Sequence, residues 1–450
     1  MIHRLNMVNV GPAHKMELEF GPRMNLLTGD NGLGKSFLLD TIWWSLTRKW
    51  PHDLNSNLTS GYPARPSNPN QPASIRFFLE SKSTDVAYSS QFSQRDQAWT
   101  GKAGRPHNPG LVIYAQADGG FSVWDPARNY WKTRGKVDVQ DRLPGFVFTS
   151  QEVWNGLQMV HDGTLVRVCK GLIDDWAIWI RAGGREAQNV NSVLAHLSPT
   201  QELADRLQSV ATTRISLDDN RDIPTIRTGE GVAVPALHAS AGVKRILQMC
   251  YMLLWSWEEH LRATTLLGES PTQQVVLLID EIECHLHPRW QRTILGSVMK
   301  IMGALHQSAR IQLIAATHSP LVLSSAEPLF DDKTDAWFDL DFDQATGQVA
   351  LLKRDFVRLG SVANWLTSEA FDLDSDRSLD AELAIKAARF CFENSDITQE
   401  RIIKTDQQLM NTLGSEDRFW REWERFLAAK NINHSEVDEK TEEQLERAEP

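Results

Sequence analysis

Gly29-Asp30-Asn31-Gly32-Leu33-Gly34-Lys35-Ser36 reads G-x-x-x-x-G-K-S and follows the apolar run Met24-Asn25-Leu26-Leu27. Phe37–Leu46, just downstream, has helix-compatible residues. A strand, this loop and a helix in that order make a phosphate-binding loop. Glycines let backbone N–H groups turn inward on phosphate oxygens, and the helix N-terminus adds partial positive charge. Lys35 is then expected to reach the β- and γ-phosphates, and the Ser36 hydroxyl to hold Mg²⁺. A chance glycine-rich turn would not carry every fixed position in this setting. The expected ligand is a nucleoside triphosphate, with Asn31, Gly32, Gly34, Lys35, Ser36 and Phe37 around it.

Working outward, Val275-Val276-Leu277-Leu278-Ile279-Asp280-Glu281 is an apolar run ending in two carboxylates. Such a run marks a strand buried on both faces of a parallel sheet. Asp280 is expected to hold Mg²⁺ through water, and Glu281 to polarise the water that attacks the γ-phosphate. A solvated Asp-Glu pair is the plainer alternative; Lys35 upstream and the lack of a competing strand decide against it. Ile311–Ala315 is a second apolar run, and Pro288–Leu305 between them reads as a crossover helix completing a β-α-β unit. Ala315-Ala316-Thr317-His318-Ser319-Pro320 then places His318 at the end of a neighbouring strand, where an imidazole can bond the γ-phosphate. His238-Ala239-Ser240-Ala241-Gly242-Val243-Lys244-Arg245 precedes a long helix, Ile246–His260. Its Ser240 and Gly242 turn is a second anion site at a helix N-terminus. One chain needs one phosphate site for one nucleotide; two facing chains need both. Each chain's Ser240 and Gly242 are therefore expected against the γ-phosphate held by the other.

Composition bounds the class. Hydrophobic residues make up 41% and charged residues 23% of the 450, as in soluble globular proteins. No apolar run approaches the roughly 20 residues of a membrane helix, and Met1-Ile2-His3-Arg4-Leu5-Asn6 lacks a signal peptide's apolar core. A cytoplasmic location without membrane contact is expected. Cys169, Cys250, Cys284 and Cys391 are far apart with no C-x-x-C pair, which disfavours zinc and disulfides alike. The net charge of −11 gives no global attraction to nucleic acid and leaves a local basic groove open.

The expected fold class is α/β. Residues 1–150 read as an N-lobe with the phosphate loop and an antiparallel β subsheet, 151–270 as a helical lobe, and 271–350 as the ATPase core. Residues 351–433 read as a helical extension, and 434–450 as a disordered acidic tail. Met7–Phe20 predicts a hairpin and Pro51–Ala73 an exposed loop. Ile75–Glu80, Val86–Phe92 and Leu111–Trp124 are assigned to the antiparallel subsheet. Val153–Val160, Leu165–Ile180 and Gln201–Ala211 carry helical spacing, and Ala336–Leu352 reads as a hairpin turning near Ala345-Thr346-Gly347. Leu379–Phe392 and Asp417–Ala429 are amphipathic helices. On the latter, Trp420, Trp423 and Phe426 share one face within a rim of Arg418, Arg421, Glu422 and Arg425. That arrangement predicts a surface for a partner chain or a neighbouring copy.

The ordered set G-x-x-x-x-G-K-S, S-x-G-x-K-R, apolar-Asp-Glu and T-H-S-P resembles the ABC-type ATPases, and within them the SMC/RecF/OLD-like branch. Asp280–Gln291, Ala239–Arg245, Thr317–Leu321 and Trp365–Phe371 followed by Arg377-Ser378 are similar to the PtuA-like antiphage-defence ATPases of Septu and retron-associated systems. The resemblance covers most of residues 1–390. It implies an ABC-type P-loop head, ATP and Mg²⁺ as cofactors, and pairing of heads around ATP as a homodimer or higher oligomer. By the same resemblance Gln151, in Phe148-Thr149-Ser150-Gln151-Glu152-Val153-Trp154, is a metal-facing glutamine that couples Mg²⁺ and γ-phosphate to lobe rotation. The implied function is an ATP-binding and ATP-hydrolysing regulatory subunit of antiphage defence. Its head dimerisation would control a separately encoded nuclease, of HNH type by resemblance, with DNA or reverse-transcribed DNA as a further partner. The alternatives are a RecF/SMC-like DNA-binding ATPase of repair, or an OLD-like nuclease with an unrecognised site. The chain departs from these relatives in lacking long heptad arrays. Asp372-Leu373-Asp374 has no apolar strand before it and reads as a loop and helix cap. Asp339-Leu340-Asp341-Phe342-Asp343 reads as an exposed strand with alternating faces.

Overall fold

Alternating apolar and polar residues give the N-terminus its first sheet. In a computed structural model, β1 (Ile2–Val8) pairs antiparallel with β2 (Lys15–Glu19), which buries Met16 and Leu18 and exposes its charged residues. The hairpin starts before the expected Met7. The structure describes residues 1–432 except 82–84, 102–106, 130, 135–136, 141–144, 162, 201, 203–205, 230, 306–308, 345–346, 395 and 431. The expected acidic tail and the turn at residues 345–346 lie outside the described residues.

β3 (Met24–Gly29) enters the phosphate loop, and α1 (Lys35–Thr47) leaves it. A short α2 (Pro51–Leu54) opens the segment expected as loop. β4 (Ser74–Leu79), β5 (Val86–Ser93) and β6 (Ala98–Trp99) complete the antiparallel sheet, in the order β2-β1-β4-β5-β6. The inner faces of this sheet and of α1 share one core with Trp43, Trp44, Ile75 and Phe77.

β7 (Leu111–Ala115) corrects the sequence reading: it belongs to the central sheet, not to the antiparallel subsheet. All five of its residues are buried, which is the mark of an interior parallel strand. β8 (Phe121–Trp124), a small hairpin of β9 (Trp131–Arg134) and β10 (Val137–Gln140), and β11 (Phe146–Phe148) follow.

The next lobe mixes helices and strands. α3 (Ser150–Asn155) starts in a capping box, in which Thr149 accepts from Glu152 N–H and Glu152 from Thr149 N–H. β12 (Leu157–His161) and β13 (Thr164–Cys169) form a hairpin where helical spacing was expected. Gly156 and Gly171, both at positive φ, end the preceding segments there. α4 (Leu172–Ala182) and α5 (Arg185–Leu197) pack beside β14 (Leu207–Thr213), β15 (Ile223–Thr228) and β16 (Val234–Pro235), a three-stranded sheet. The described part of Gln201–Ala211 thus ends in a strand rather than a helix. Its β-branched continuation, Val210 to Thr213, suits an extended backbone.

α6 (Ala241–Leu267) is capped by Ser240 and stopped by Gly268 in the left-handed region. Near its C-terminal end, buried His260 bonds Asp125 through Nδ1 at 2.7 Å and accepts from Thr272 N–H through Nε2 at 2.9 Å. The helix is thereby tied to the chain entering the next strand, β17 (Gln274–Ile279).

The crossover after β17 is two helices, α7 (Pro288–Gln291) and α8 (Ile294–Leu305), leading to β18 (Arg310–Ala316) and α9 (Pro320–Ala326). β19 (Asp335–Asp343) and β20 (Gln348–Arg354) form the expected hairpin. The central sheet runs β11-β8-β7-β17-β18-β3-β19-β20, with β7, β17, β18, β3 and β19 mutually parallel. β19 therefore lies inside the sheet; of the stretch expected to be exposed, Asp339 and Leu340 are buried, while Phe342 and Asp343 are exposed. Asp339 is buried, accepting from Thr28 Oγ1 at 2.7 Å and pairing with Arg354 at 3.3 Å. Among the described residues no helix is long and apolar enough to cross a membrane.

Met1–Val362 form one compact unit, and the residues from Ala363 form a second. α10 (Val362–Leu366) begins at the boundary, and α11 (Leu379–Glu393), α12 (Gln399–Thr412) and α13 (Trp420–Ala429) build the second unit. Trp423 is fully buried there with Ala388, Cys391, Leu409 and Leu427, while Trp420 and Phe426 pack against the same cluster. Its indole N–H donates to buried Asp406 at 2.6 Å. The aromatic face of α13 thus meets its own unit, which corrects the expectation of an outward docking face. Helical spacing reveals which residues share a face but not what that face covers.

Candidate functional site

The sheet brings the site together at one edge. β17 pairs with β18 through Ile279 and Ala315, and β18 with β3 through Ala315 and Leu26. Gly29, Asp280 and Thr317 therefore emerge side by side, as expected where parallel strands end. On the outer side, Asp280 N–H donates to Ala115 O at 2.9 Å, bringing the end of β7 alongside.

Gly29 has φ 127°, and a Cβ there would lie 2.1 Å from the Leu340 carbonyl oxygen. Glycine is required because β19 passes directly behind the loop. Lys35, only 5% exposed, donates from Nζ to Gly29 O at 2.6 Å and Asp30 O at 2.8 Å. Burial lowers its pKa to about 8, and the nearby Asp280 opposes that shift. Ser36 bonds the Asp280 carboxylate, whose pKa burial raises. The Oδ1 atom of Asp280 is buried without a hydrogen-bond partner. A lysine ammonium, a serine hydroxyl and an orphaned carboxylate oxygen together suit a magnesium nucleotide. Asn31 and Gly32 are exposed at the outer rim of the loop, and Phe37 is half-buried at the foot of α1.

Glu281 holds φ 44°, an uncommon conformation for a side-chain-bearing residue and one concentrated at functional sites. His318 is half-buried and bonds the Gly29 backbone. Burial lowers its pKa, with Lys35 adding to the effect and Glu281 opposing it. Sequence reasoning gave no role to Glu283, yet it organises this corner: it accepts from Thr317 Oγ1 at 2.7 Å and from His318 N–H. Lys35, Ser36, Asp280, Glu281 and His318 are thus brought together.

Ser240 is exposed and caps α6, accepting from Val243 N–H at 3.4 Å. Gly242 has a reason of its own within the single chain: a Cβ would stand 2.7 Å from the His285 carbonyl oxygen. Any side chain there collides with the loop after β17.

Gln151 is exposed on α3, in a cleft of about 530 Å³ shared with Thr59, Asp118 and Glu152. A different glutamine stands beside Asp280. Gln116 directly follows Ala115, is 3% exposed, and has both side-chain polar atoms without partners. The all-apolar Leu111–Ala115 ahead of it was the available signal, the same pattern as Val275–Ile279. Gln248 of α6 donates to Ser150 Oγ at 2.9 Å, joining the helix of Ser240 to the helix of Gln151. Asp374 is spent on an ion pair with Lys386 at 2.8 Å, and no metal-holding cluster of His, Cys, Asp or Glu occurs among the described residues.

Residues 24–324 match the family described as "AAA domain, putative AbiEii toxin, Type IV TA system". The Septu protein PtuA of Bacillus thuringiensis is 22% identical over 329 residues, covering 72% of this chain and 74% of that protein. The Retron Vc95 probable ATPase of Vibrio cholerae serotype O1 biovar El Tor is 29% identical over 123 residues, 26% of this chain and 21% of that protein. Among solved structures, the SMC head domain from Thermotoga maritima aligns at a TM-score of 0.37 and 13% identity, over 79% of this chain and 99% of that one. With the phosphate loop, the strand ending in Asp280 and the His318 loop all inside the matched span, the chain belongs to this AAA-domain family and is an ABC-type ATPase related to PtuA.

Proposed function

We propose that this chain binds and hydrolyses ATP as the regulatory subunit of a bacterial antiphage defence system. In this reading ATP pairs two heads and so controls a separately encoded nuclease. The observation that carries it is the convergence of Lys35, Ser36, Asp280, Glu281 and His318 at one sheet edge, with the exposed Ser240 turn on a neighbouring loop. The similarity to a Septu protein and a retron ATPase supports the defence setting. Lys35 binds the β- and γ-phosphates, while Ser36, Asp280 and buried Gln116 face the place of Mg²⁺, Gln116 being better placed than exposed Gln151. When bound, the metal supplies charge neutralisation at the phosphate oxygens. Glu281 orients the attacking water, and His318, held by Glu283, senses the γ-phosphate.

Glu281→Gln tests the reading. It should bind ATP, lose at least about tenfold in turnover, and accumulate as the paired form in native mass spectrometry. Adding Ser240→Arg, at an exposed position, should abolish that pairing while leaving nucleotide binding in place. Wild-type turnover by Glu281→Gln, or undiminished pairing with Ser240→Arg, would overturn it.

A further inference from the structure

Arg245 lies in the second turn of α6 and is 3% exposed, yet none of its three guanidinium nitrogens has a hydrogen-bond partner. The Phe121 ring centroid lies 5.9 Å from its guanidinium carbon. The carboxylates that act on it across space sit on two other loops: Asp118 between β7 and β8, and Asp280 and Glu281 after β17. Gln116, with both polar atoms unpartnered, lies on the Asp118 side of this region. A Cβ placed on Gly120 would meet Gln116 Oε1 at 2.4 Å and Asp118 Oδ1 at 3.0 Å. A buried guanidinium with no hydrogen bond is among the costliest arrangements a protein holds. A well-packed structural arginine would have found partners.

Resting on the reading that ATP pairs two heads, we propose that Arg245 is a positioning residue held strained in the unpaired head. It engages the Asp118 carboxylate when the head closes, and so sets Ser240 at the spacing that a second copy of this chain requires. The connections run the right way. Arg245 and Ser240 share the first two turns of α6, Gly242 abuts the loop after β17, and Gln248 ties the same helix to α3. Asp118 is exposed and anchored by Gly120 N–H at 2.8 Å, so it offers a fixed carboxylate within electrostatic reach of a guanidinium whose three nitrogens are all unpartnered.

Strain and structural support predict opposite signs, which makes the test decisive. Arg245→Met replaces an unpaired buried charge with an apolar chain of similar length. The nucleotide-free full-length protein should therefore melt at a higher temperature than wild type. ATP-driven pairing, read by light scattering, and kcat should each fall about tenfold or more, with the affinity for a fluorescent ATP analogue changed less than about threefold. Arg245→Lys, which keeps the charge, should fall between the two. Asp118→Asn, at an exposed site where folding is not at risk, should reproduce the loss of pairing, and the double variant should be no worse than either single one. A lower melting temperature with normal pairing in Arg245→Met, or losses that multiply in the double variant, would overturn the role of Arg245. A wild-type chain that does not pair on ATP would overturn the functional reading itself.

Discussion

Removing the Glu283 carboxylate tests how the His318 corner is held. Glu283→Ala deletes two hydrogen bonds to one side chain, from Thr317 Oγ1 at 2.7 Å and from His318 N–H. Hydrogen bonds to a charged group contribute about 1.5–3 kcal/mol each. Burial raises the pKa of Glu283, so part of that gain offsets the desolvation of the carboxylate. A net loss of about 2–4 kcal/mol follows for the alanine variant, with two donors left unpaired. Glu283→Gln keeps one acceptor for the His318 N–H and turns an amide toward the Thr317 hydroxyl, which can accept. Its loss should be about 1 kcal/mol. Urea unfolding gives the stability terms, and steady-state ATP turnover reads the geometry of His318. Turnover should fall about tenfold or more in the alanine variant, because the His318 backbone N–H and the Thr317 hydroxyl then lose their shared acceptor. ATP-analogue affinity should hold, since Lys35 and its loop are untouched. If Glu283→Ala unfolds at the wild-type urea concentration and turns over ATP normally, the carboxylate does not organise this corner.

Lys35, with its pKa lowered to about 8, makes two pH trends run in opposite directions. The free protein gains stability as pH rises from about 8 toward the unfolded lysine value, because the unfolded chain binds more protons in that window. ATP affinity falls over the same range as the ammonium is lost, by up to about tenfold per pH unit; calorimetric titration between pH 7 and 9.5 that gives a flat affinity refutes this. Trp423→Ala should cost about 3–5 kcal/mol in the second unit and leaves the buried Asp406 without its indole donor. Truncation after Thr412 removes Phe419, Trp423 and Leu427 from that core. It should therefore yield rapid proteolysis of the remaining helices rather than a folded protein lacking one interface.

The parts of this fold that were legible in the sequence are those where one residue type has one physical use. The phosphate loop, the apolar Val275–Ile279 of β17, the mostly apolar β18, and the β19–β20 hairpin belong to that class. β7 was misplaced because its apolar run was taken together with Phe121–Trp124 as one antiparallel stretch; it does pair antiparallel with β8, but its other neighbour, β17, is parallel and sets it in the central sheet. Gln116 was lost with it. Glu283 and Arg245 were quoted in motifs but could not be weighed, since burial and missing partners are properties of three-dimensional packing. The lobe after Gln151 misled for another reason: short β-hairpins at glycine breaks, as at Gly156 and Gly171, interrupt apolar spacing that otherwise resembles a helix.

The pinning of α6 at His260 makes that helix a lever with its fulcrum far from the nucleotide. From His260 back to Ala241 the helix is about 28 Å long at 1.5 Å per residue. A tilt of about 6° around the His260–Asp125 bond carries the Ser240 turn by about 3 Å, roughly the span of one hydrogen bond. An angle set at one end of α6 is thus converted into a distance at the other.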